Sequence, residues 1–530
     1  MRKKNLFAYC LLTVVSGIFR GPSFSLCAQV TATGPVSSTA PGSTARAFPN
    51  IVFIYADDVG YGDLSCYGAT RIRTPRIDRL AEGSIRFTNA HATAATCTPS
   101  RFSLMTGLYA WRKKGTGIAP GDASLIVDTA RLSLPGLLKR AGYRTGVIGK
   151  WHLGLGGSGG PDWNGEIAPG PLEMGFDYSY IIPATLDRVP CVFVEDHRVV
   201  DGDPSDPISV SYKKPVGDWP TGRDHPELLR LHPSPGRGHD QTIVNGISRI
   251  GYMTGGKKAL WTDQNIADTL TEKARAFIAG SREGGPFFLY LATTDIHVPR
   301  DPHPRFVGKS GMGPRGDAIL QLDWTVGKVL DELDSLGLAG NTIVIFSSDN
   351  GPVLDDGYQD SAVLKLNGHR PAGPLRGGKY SAFDGGTRVP LLVQWKGQIR
   401  PRLSGALLSQ VDFFASLADF TGQPLASGEA PDSYDVLPAL LGHSSTGRKE
   451  LVEQGGSLSL ITPDWKYIEP GEGPAVFAGV DIESGYSGHA QLYDMRKDIG
   501  EKQDLSTRYP ATVRKMQARL AEIRDSGASK

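Results

Sequence analysis

Four apolar, β-branched runs constrain this chain more than any other feature, because each one ends in charged or amide residues. Ile51–Tyr55 runs into Asp57-Asp58, Thr145–Ile148 into Lys150-Trp151-His152, Phe287–Leu291 into Asp295-Ile296-His297, and Thr342–Phe346 into Asp349-Asn350. A run that is apolar at nearly every position is what a strand buried on both faces looks like. Helical patterns lie between the runs. Thr262–Ala279 places Ile266, Leu270, Ala274 and Ile278 at spacing four; Ala318–Leu336 carries Leu322, Val326, Val329, Leu330 and Leu333 and stops at Gly337; Asp412–Phe420 stops at Thr421-Gly422. Alternating strands and helices predict an α/β fold with a large, mostly parallel sheet sandwiched by helices. Ligands of such sheets sit beyond the carboxyl ends of the strands. All four polar clusters lie there.

The ends of the chain read differently. Arg2, Lys3 and Lys4 precede a short apolar stretch from Phe7 to Phe19, and Ser25-Leu26-Cys27-Ala28 offers a small-residue cleavage site. Residues 1–28 are therefore expected to be a signal peptide, too short for a spanning helix, followed by a Thr/Ser/Gly/Pro-rich linker over 29–47. The expected location is periplasmic or secreted, with no membrane span. The catalytic domain is expected over 48–422 and a smaller C-terminal α+β domain over 423–530. In the latter, Trp465–Ile468 and Gln491–Tyr493 read as strands, and Val513, Met516, Leu520 and Ile523 line one face of a final helix. Without the signal the basic-to-acidic balance moves from 57 against 55 to 53 against 55, since four basic residues leave with it. That balance excludes a nucleic-acid binder defined by positive charge. Cys66, Cys97 and Cys191 would remain, too few for a disulfide framework.

Asp57, Asp58, Asp349 and Asn350 offer hard oxygen ligands with no Cys or His among them, a set suited to Ca²⁺ or Mg²⁺. Adjacent aspartates repel one another without a cation between them. Taken singly, each pair also fits a helix cap or a plain turn. Cys97-Thr98-Pro99-Ser100-Arg101 reads as a helix start, with Thr98 as cap and Pro99 at the first position. Cys97 would then meet the free N–H groups of a helix N-terminus, which favour an anion, with Arg101 returning over the same end. The alternative is a buried structural cysteine before an ordinary capped helix.

These residues resemble those of the formylglycine-dependent sulfatases, within the alkaline-phosphatase-like superfamily. The anchors are C-T-P-S-R at Cys97–Arg101, A-D-D at Ala56–Asp58, T-G-V-I-G-K-W-H-L-G at Thr145–Gly154, S-D-N-G at Ser348–Gly351, L-R-G-G-K at Leu375–Lys379 and D-G-G-T-R-V-P at Asp384–Pro390. The resemblance implies that Cys97 is oxidised to Cα-formylglycine by a formylglycine-generating enzyme. The hydrated aldehyde would attack sulfur, release the alcohol and then collapse to aldehyde and sulfate. It further implies one Ca²⁺ ion held by Asp57, Asp58, Asp349, Asn350 and the modified Cys97. Arg101 would steady the diol, Lys150 and Lys379 clamp the sulfate, His152 act as base on the diol, and His297 protonate the leaving oxygen. Asp384 stands where the family usually has Glu, and Asp498-Ile499-Gly500 replaces its usual Asp-Pro.

Preorganised cations would answer the charge that builds on the bridging oxygen, and imidazole carries protons near neutral pH. Two other readings compete: a phosphoester or phosphonate-ester hydrolase of the same superfamily, and a catalytically silent glycan-binding protein. The segment from Gly175 to Val192 resembles a branch of bacterial sulfatases acting on glycans, and the expected substrate is a sulfated galactose or N-acetylgalactosamine unit. Arg188, beside Asp187, and His369, beside Lys365 and Arg370, are expected to contact the glycan from loops over the strand ends, or else to be solvated there.

Overall fold

The computed structural model describes residues 48–529, so the expected signal peptide and the expected linker lie outside the described residues. The large sheet contains β1 (Asn50–Ala56), β2 (Ser84–Phe87), β3 (Arg144–Lys150), β4 (Tyr178–Ile182), β5 (Val194–Glu195), β6 (Arg198–Val199), β7 (Phe287–Ala292), β8 (Thr342–Ser348), β9 (Leu391–Trp395) and β10 (Arg402–Ser404). Their order is β10-β2-β9-β8-β1-β7-β3-β4-β5-β6. The central neighbours β8, β1, β7, β3 and β4 are parallel; β9 and β5 turn antiparallel at either side. The four apolar runs are thus the middle of the sheet.

Period-two alternation explains why these strands are apolar throughout. Ile51, Phe53 and Tyr55 of β1 enter one core, with Phe102, Leu104, Leu137, Phe413 and Phe414. Val52, Ile54 and Ala56 enter the other, with Leu270, Ile278, Leu322, Val326 and Val329. Each face is covered by helices: Cys97–Thr106, Leu134–Arg140 and Phe413–Thr421 on the first, Ile266–Gly280 and Gly313–Ser335 on the second. The expected helix bounds hold to within a few residues. The largest shift is at Ala318, since that helix opens earlier, at Gly313; Thr262 precedes a 3₁₀ turn over Asp263–Asn265 instead of opening its helix.

Beyond the sheet's last helix the chain builds β11 (Leu451–Gln454), β12 (Leu458–Ile461), β13 (Trp465–Ile468) and β14 (Gln491–Asp494), antiparallel in that order. The final helix, Pro510–Asp525, lays Met516, Leu520 and Ile523 on this sheet, against Val452, Leu460, Tyr467 and Leu492. Tyr109 and Val411, from the larger part, share that core. Residues 47–530 group as one compact unit. Among the described residues no helix is long and apolar enough to cross a membrane.

Candidate active site

The parallel register brings the polar clusters together. Ala56 pairs with Ser348, so Asp57 and Asp349 follow at the same level, while Ala292 pairs with Tyr55 and Gly149. The backbone then knits the strand ends: Asp349 N–H donates to Ala56 O at 3.1 Å, Asp57 N–H to Asp295 O at 3.0 Å, and Ile296 N–H to Asp57 O at 2.7 Å. Two glycines permit this crowding. A Cβ on Gly149 would lie 1.9 Å from Ala292 O, and one on Gly351 would lie 1.7 Å from Gly385 O. Asp58 and His152 adopt left-handed φ values of 60° and 58°, a cost tolerated where the surroundings over-determine the backbone.

Asp57, Asp58, Asp349 and Asn350 are all buried. Lys150 Nζ lies 2.6 Å from Asp57 Oδ2, and Lys379 Nζ lies 2.9 Å from both Asp58 Oδ2 and Asp356 Oδ2. Arg101 donates through Nε and NH2 to Asp349 Oδ2 at 3.0 and 2.7 Å. Burial pushes the Asp57 carboxyl well above its ordinary range, and Asp349 and Asp58 add to the rise against Lys150. Burial also works against charge on Asp58, but Lys379 and Lys150 outweigh it and hold that carboxyl low. Asp57 Oδ1 and Asn350 Oδ1 are buried without a hydrogen-bond partner among the described residues. Unmet buried oxygens of this kind call for a cation, and a set of hard donors fits Ca²⁺.

Cys97 is the first residue of the helix Cys97–Thr106, with Thr96 at the N-cap. This corrects the sequence reading, which placed the cap at Thr98. Thr98 Oγ1 instead accepts from Ala119 N–H at 3.2 Å, outside the helix. Burial raises the Cys97 thiol pKa, with Lys150 and Lys379 opposing. An unmodified thiol here stays protonated and is a weak nucleophile.

The two histidines differ in their free nitrogen. His152 Nε2 faces Ala119 O at 2.9 Å, and a carbonyl only accepts, so Nε2 carries the proton. Nδ1 is then the bare lone pair, buried and without a partner among the described residues. Burial, with Lys150 and Arg188, holds this ring well below the usual imidazole pKa. His297 has the opposite tautomer: Nδ1–H donates to Val298 O at 2.7 Å, leaving Nε2 free, 3.9 Å from Asp58 Oδ2. Burial, Lys379 and Lys150 keep it neutral as well.

Arg188 stands at this site. Its guanidinium pairs with Asp187 Oδ1 at 2.9 Å and acts electrostatically on Cys97 and His152. His369 does not stand there as expected. It is a buried structural histidine, with Nε2 on Asp63 Oδ1 at 2.8 Å and Asp63 also held by Arg315 at 2.7 Å. Nε2 fastens its own loop to the segment after β1, while Nδ1 is buried without a partner among the described residues. Two residues escaped the sequence reading: Asp356, which shares Lys379, and His239, whose Nε2 is 3.1 Å from Asp187 Oδ2. Both sit in irregular segments with no periodic signal.

Buried carboxylates and an amide, two lysines, an arginine and two histidines of opposite tautomer around one cysteine define a hydrolase for anionic esters. The comparisons agree. The sulfatase family model matches residues 49–423. The chain is 56% identical over 478 residues to the N-acetylgalactosamine-6-O-sulfatase of Bacteroides thetaiotaomicron, covering 90% of this chain and 93% of that one. It is 31% identical to human arylsulfatase A, over 86% of this chain and 83% of the relative. A solved Bacteroides thetaiotaomicron sulfatase, from work on glycosaminoglycan metabolism, superposes with a TM-score of 0.89 at 56% identity, over 90% of this chain and 99% of that chain. The chain belongs to the sulfatase family, in the alkaline-phosphatase-like superfamily, and is a sulfuric ester hydrolase.

Proposed function

We propose that the chain is an exported sulfatase that removes the 6-O-sulfate from N-acetylgalactosamine units of sulfated glycans. The likeness to the Bacteroides thetaiotaomicron enzyme, across nine-tenths of both chains, carries this reading. The expected signal peptide over 1–28 supports export, and the expected division into 48–422 and 423–530 accompanies it. Oxidation of Cys97 to Cα-formylglycine would supply a hydrated aldehyde as nucleophile, and a formylglycine-generating enzyme would be the maturation partner. Asp57, Asp58, Asp349, Asn350 and residue 97 would hold Ca²⁺, which supplies fixed positive charge beside the sulfate.

The chain's own residues do the rest. Lys150 and Lys379 grip the sulfate oxygens. Arg101, fixed by Asp349, holds residue 97 in register. His152, neutral with a bare Nδ1, takes a proton from the nucleophile. His297 offers Nε2 to the bridging oxygen; the ester's negative charge offsets the two lysines and favours its protonation there. Arg188, with Asp187 behind it, contacts the sugar. Mass spectrometry of the residue-97 peptide from a host with a converting enzyme tests maturation. The predicted result is the aldehyde in active protein; an active enzyme with an unmodified thiol would reject it. Chelation with EGTA should remove activity and Ca²⁺ restore it.

A further inference from the structure

A second cluster of buried charges lies outside the site, where the C-terminal sheet meets the segment that carries Lys379. Lys466 of β13, with its side chain fully buried, lies 2.8 Å from Asp384, 3.2 Å from Glu501 and 3.7 Å from Glu453. His91 Nδ1 faces Glu453 at 2.6 Å. His91, Asp384 and Glu453 bring ligand atoms within 4.8 Å of one another, as a metal site would. The lysine ammonium already lies among these acids, so the cation of this cluster is the protein's own.

The backbone around the cluster leads to the active site from two sides. β11 joins the segment before Cys97: Ala95 N–H donates to Gln454 O at 2.8 Å, and Gln454 N–H to Thr93 O at 2.9 Å. The 375–388 segment joins the same place and the ligand loop: Tyr380 N–H donates to Ala95 O at 2.7 Å, Lys379 N–H to Pro352 O at 2.9 Å, and Gly351 N–H to Gly386 O at 2.8 Å. Asp384, which Lys466 holds, lies within that segment at the start of the short helix Asp384–Thr387, and its own N–H donates to Glu501 at 2.6 Å.

We propose that Lys466 is a positioning residue for the desulfation reaction: it neutralises the acids at the junction and so fixes the 375–388 segment, and Lys379 with it, against the segment entering Cys97. The three acids that Lys466 reaches come from three separate parts of the chain: Asp384 from the 375–388 segment, Glu453 from β11 and Glu501 from the stretch after β14. The inference rests on Lys379 gripping sulfate.

The test compares Lys466→Met, Lys466→Met with Asp384→Asn, Lys379→Ala and Leu520→Ala, the last loosening the final helix away from the junction. kcat/KM on an aryl sulfate and Ki for inorganic sulfate are measured well below each Tm, on protein whose fold is checked by circular dichroism. Lys466→Met should lower kcat/KM and raise Ki on the order of 10–10²-fold, the scale of a misplaced binding group. The double variant removes the Lys466–Asp384 pair whole but still leaves Arg388 and Glu501 without those partners, so it should regain part of the lost Tm but not Ki. Leu520→Ala should lower Tm and leave Ki at the native value. If either folded Lys466 variant keeps native kcat/KM and Ki while Lys379→Ala does not, Lys466 is merely structural and the inference falls. If Lys379→Ala leaves Ki unchanged, the sulfate grip itself is wrong and both readings fall.

Discussion

The protein buries two clusters of acids, and they differ in how the chain's own cations meet them. At the strand ends, Asp57 Oδ1 and Asn350 Oδ1 face no partner, and Lys379 is shared between Asp58 and Asp356. At the C-terminal junction each acid has a base beside it: Asp384 has Lys466 and Arg388, Glu501 has Lys466, and Glu453 has His91. Acidic content alone would make both into metal sites. What separates them is whether the chain's own cation closes the cluster. Both leave buried oxygens without a hydrogen bond, Glu453 Oε1 and Oε2 and Glu501 Oε1 at the junction; but there one ammonium, Lys466, lies among all three acids, whereas at the strand ends no single cation of the chain spans the cluster beside Cys97.

The comparison breaks hardest at residue 97. Cys97→Ala should lower kcat on the order of 10⁵–10⁶-fold, the scale of losing a nucleophile that acts with its base as a unit, while circular dichroism stays native. Near-native kcat would remove the first cluster's claim to be the active site.

The two histidines sharpen it next. His297→Ala should slow desulfation of a sugar by about 10²–10⁴-fold, since a sugar alkoxide leaves poorly without a proton. Its effect on an activated aryl sulfate should be much smaller. His152→Ala acts on the nucleophile and should slow both substrates alike. Equal losses on both substrates for a folded His297→Ala would reject its role at the leaving oxygen.

A smaller effect separates site from scaffold at Arg188 and His369. Arg188→Ala should raise KM for a glycan well beyond its effect on an aryl sulfate. His369→Ala breaks a buried pair with Asp63 and should lower stability by about 3–5 kcal/mol, with no preference between substrates. A glycan-selective KM change in His369→Ala would return it to the substrate site.

The junction predicts a pH effect on stability. Burial pushes the Glu501 carboxyl from 4.5 up to about 8, Asp384 adding to the rise and Lys466 opposing it. A raised carboxyl favours the folded state below its unfolded pKa and loses that contribution as pH climbs through the folded value. Tm should therefore fall between about pH 4.5 and about 8 through this group, which also faces Arg376 through its carbonyl and lies near His91, Glu453 and Arg388. Glu501→Gln should flatten that fall. An unchanged Tm profile in Glu501→Gln would mean the carboxyl titrates elsewhere.

The four central strands, their parallel direction and the meeting of Asp57, Asp58, Asp349 and Asn350 were legible because buried parallel strands leave an apolar signature and the polar clusters interrupt it at fixed places. Cys97 and its helix were legible to within two residues. The cap was misplaced because Thr96 and Thr98 are chemically alike, and only the fold shows that Thr98 turns to Ala119. His369, Asp356 and His239 lie in loops, where charge without periodicity does not tell a buried pair from a substrate contact. The junction was invisible for another reason: Asp384 and Lys466 are 82 residues apart and meet only when the second sheet docks.

The most direct measurement is release of inorganic sulfate from N-acetylgalactosamine 6-O-sulfate by the matured enzyme, set against sulfate release from the 4-O-sulfate and phosphate release from the 6-phosphate. The account predicts a kcat/KM on the 6-O-sulfate that far exceeds both others. A preference for the phosphate, or for the 4-O-sulfate, would contradict it.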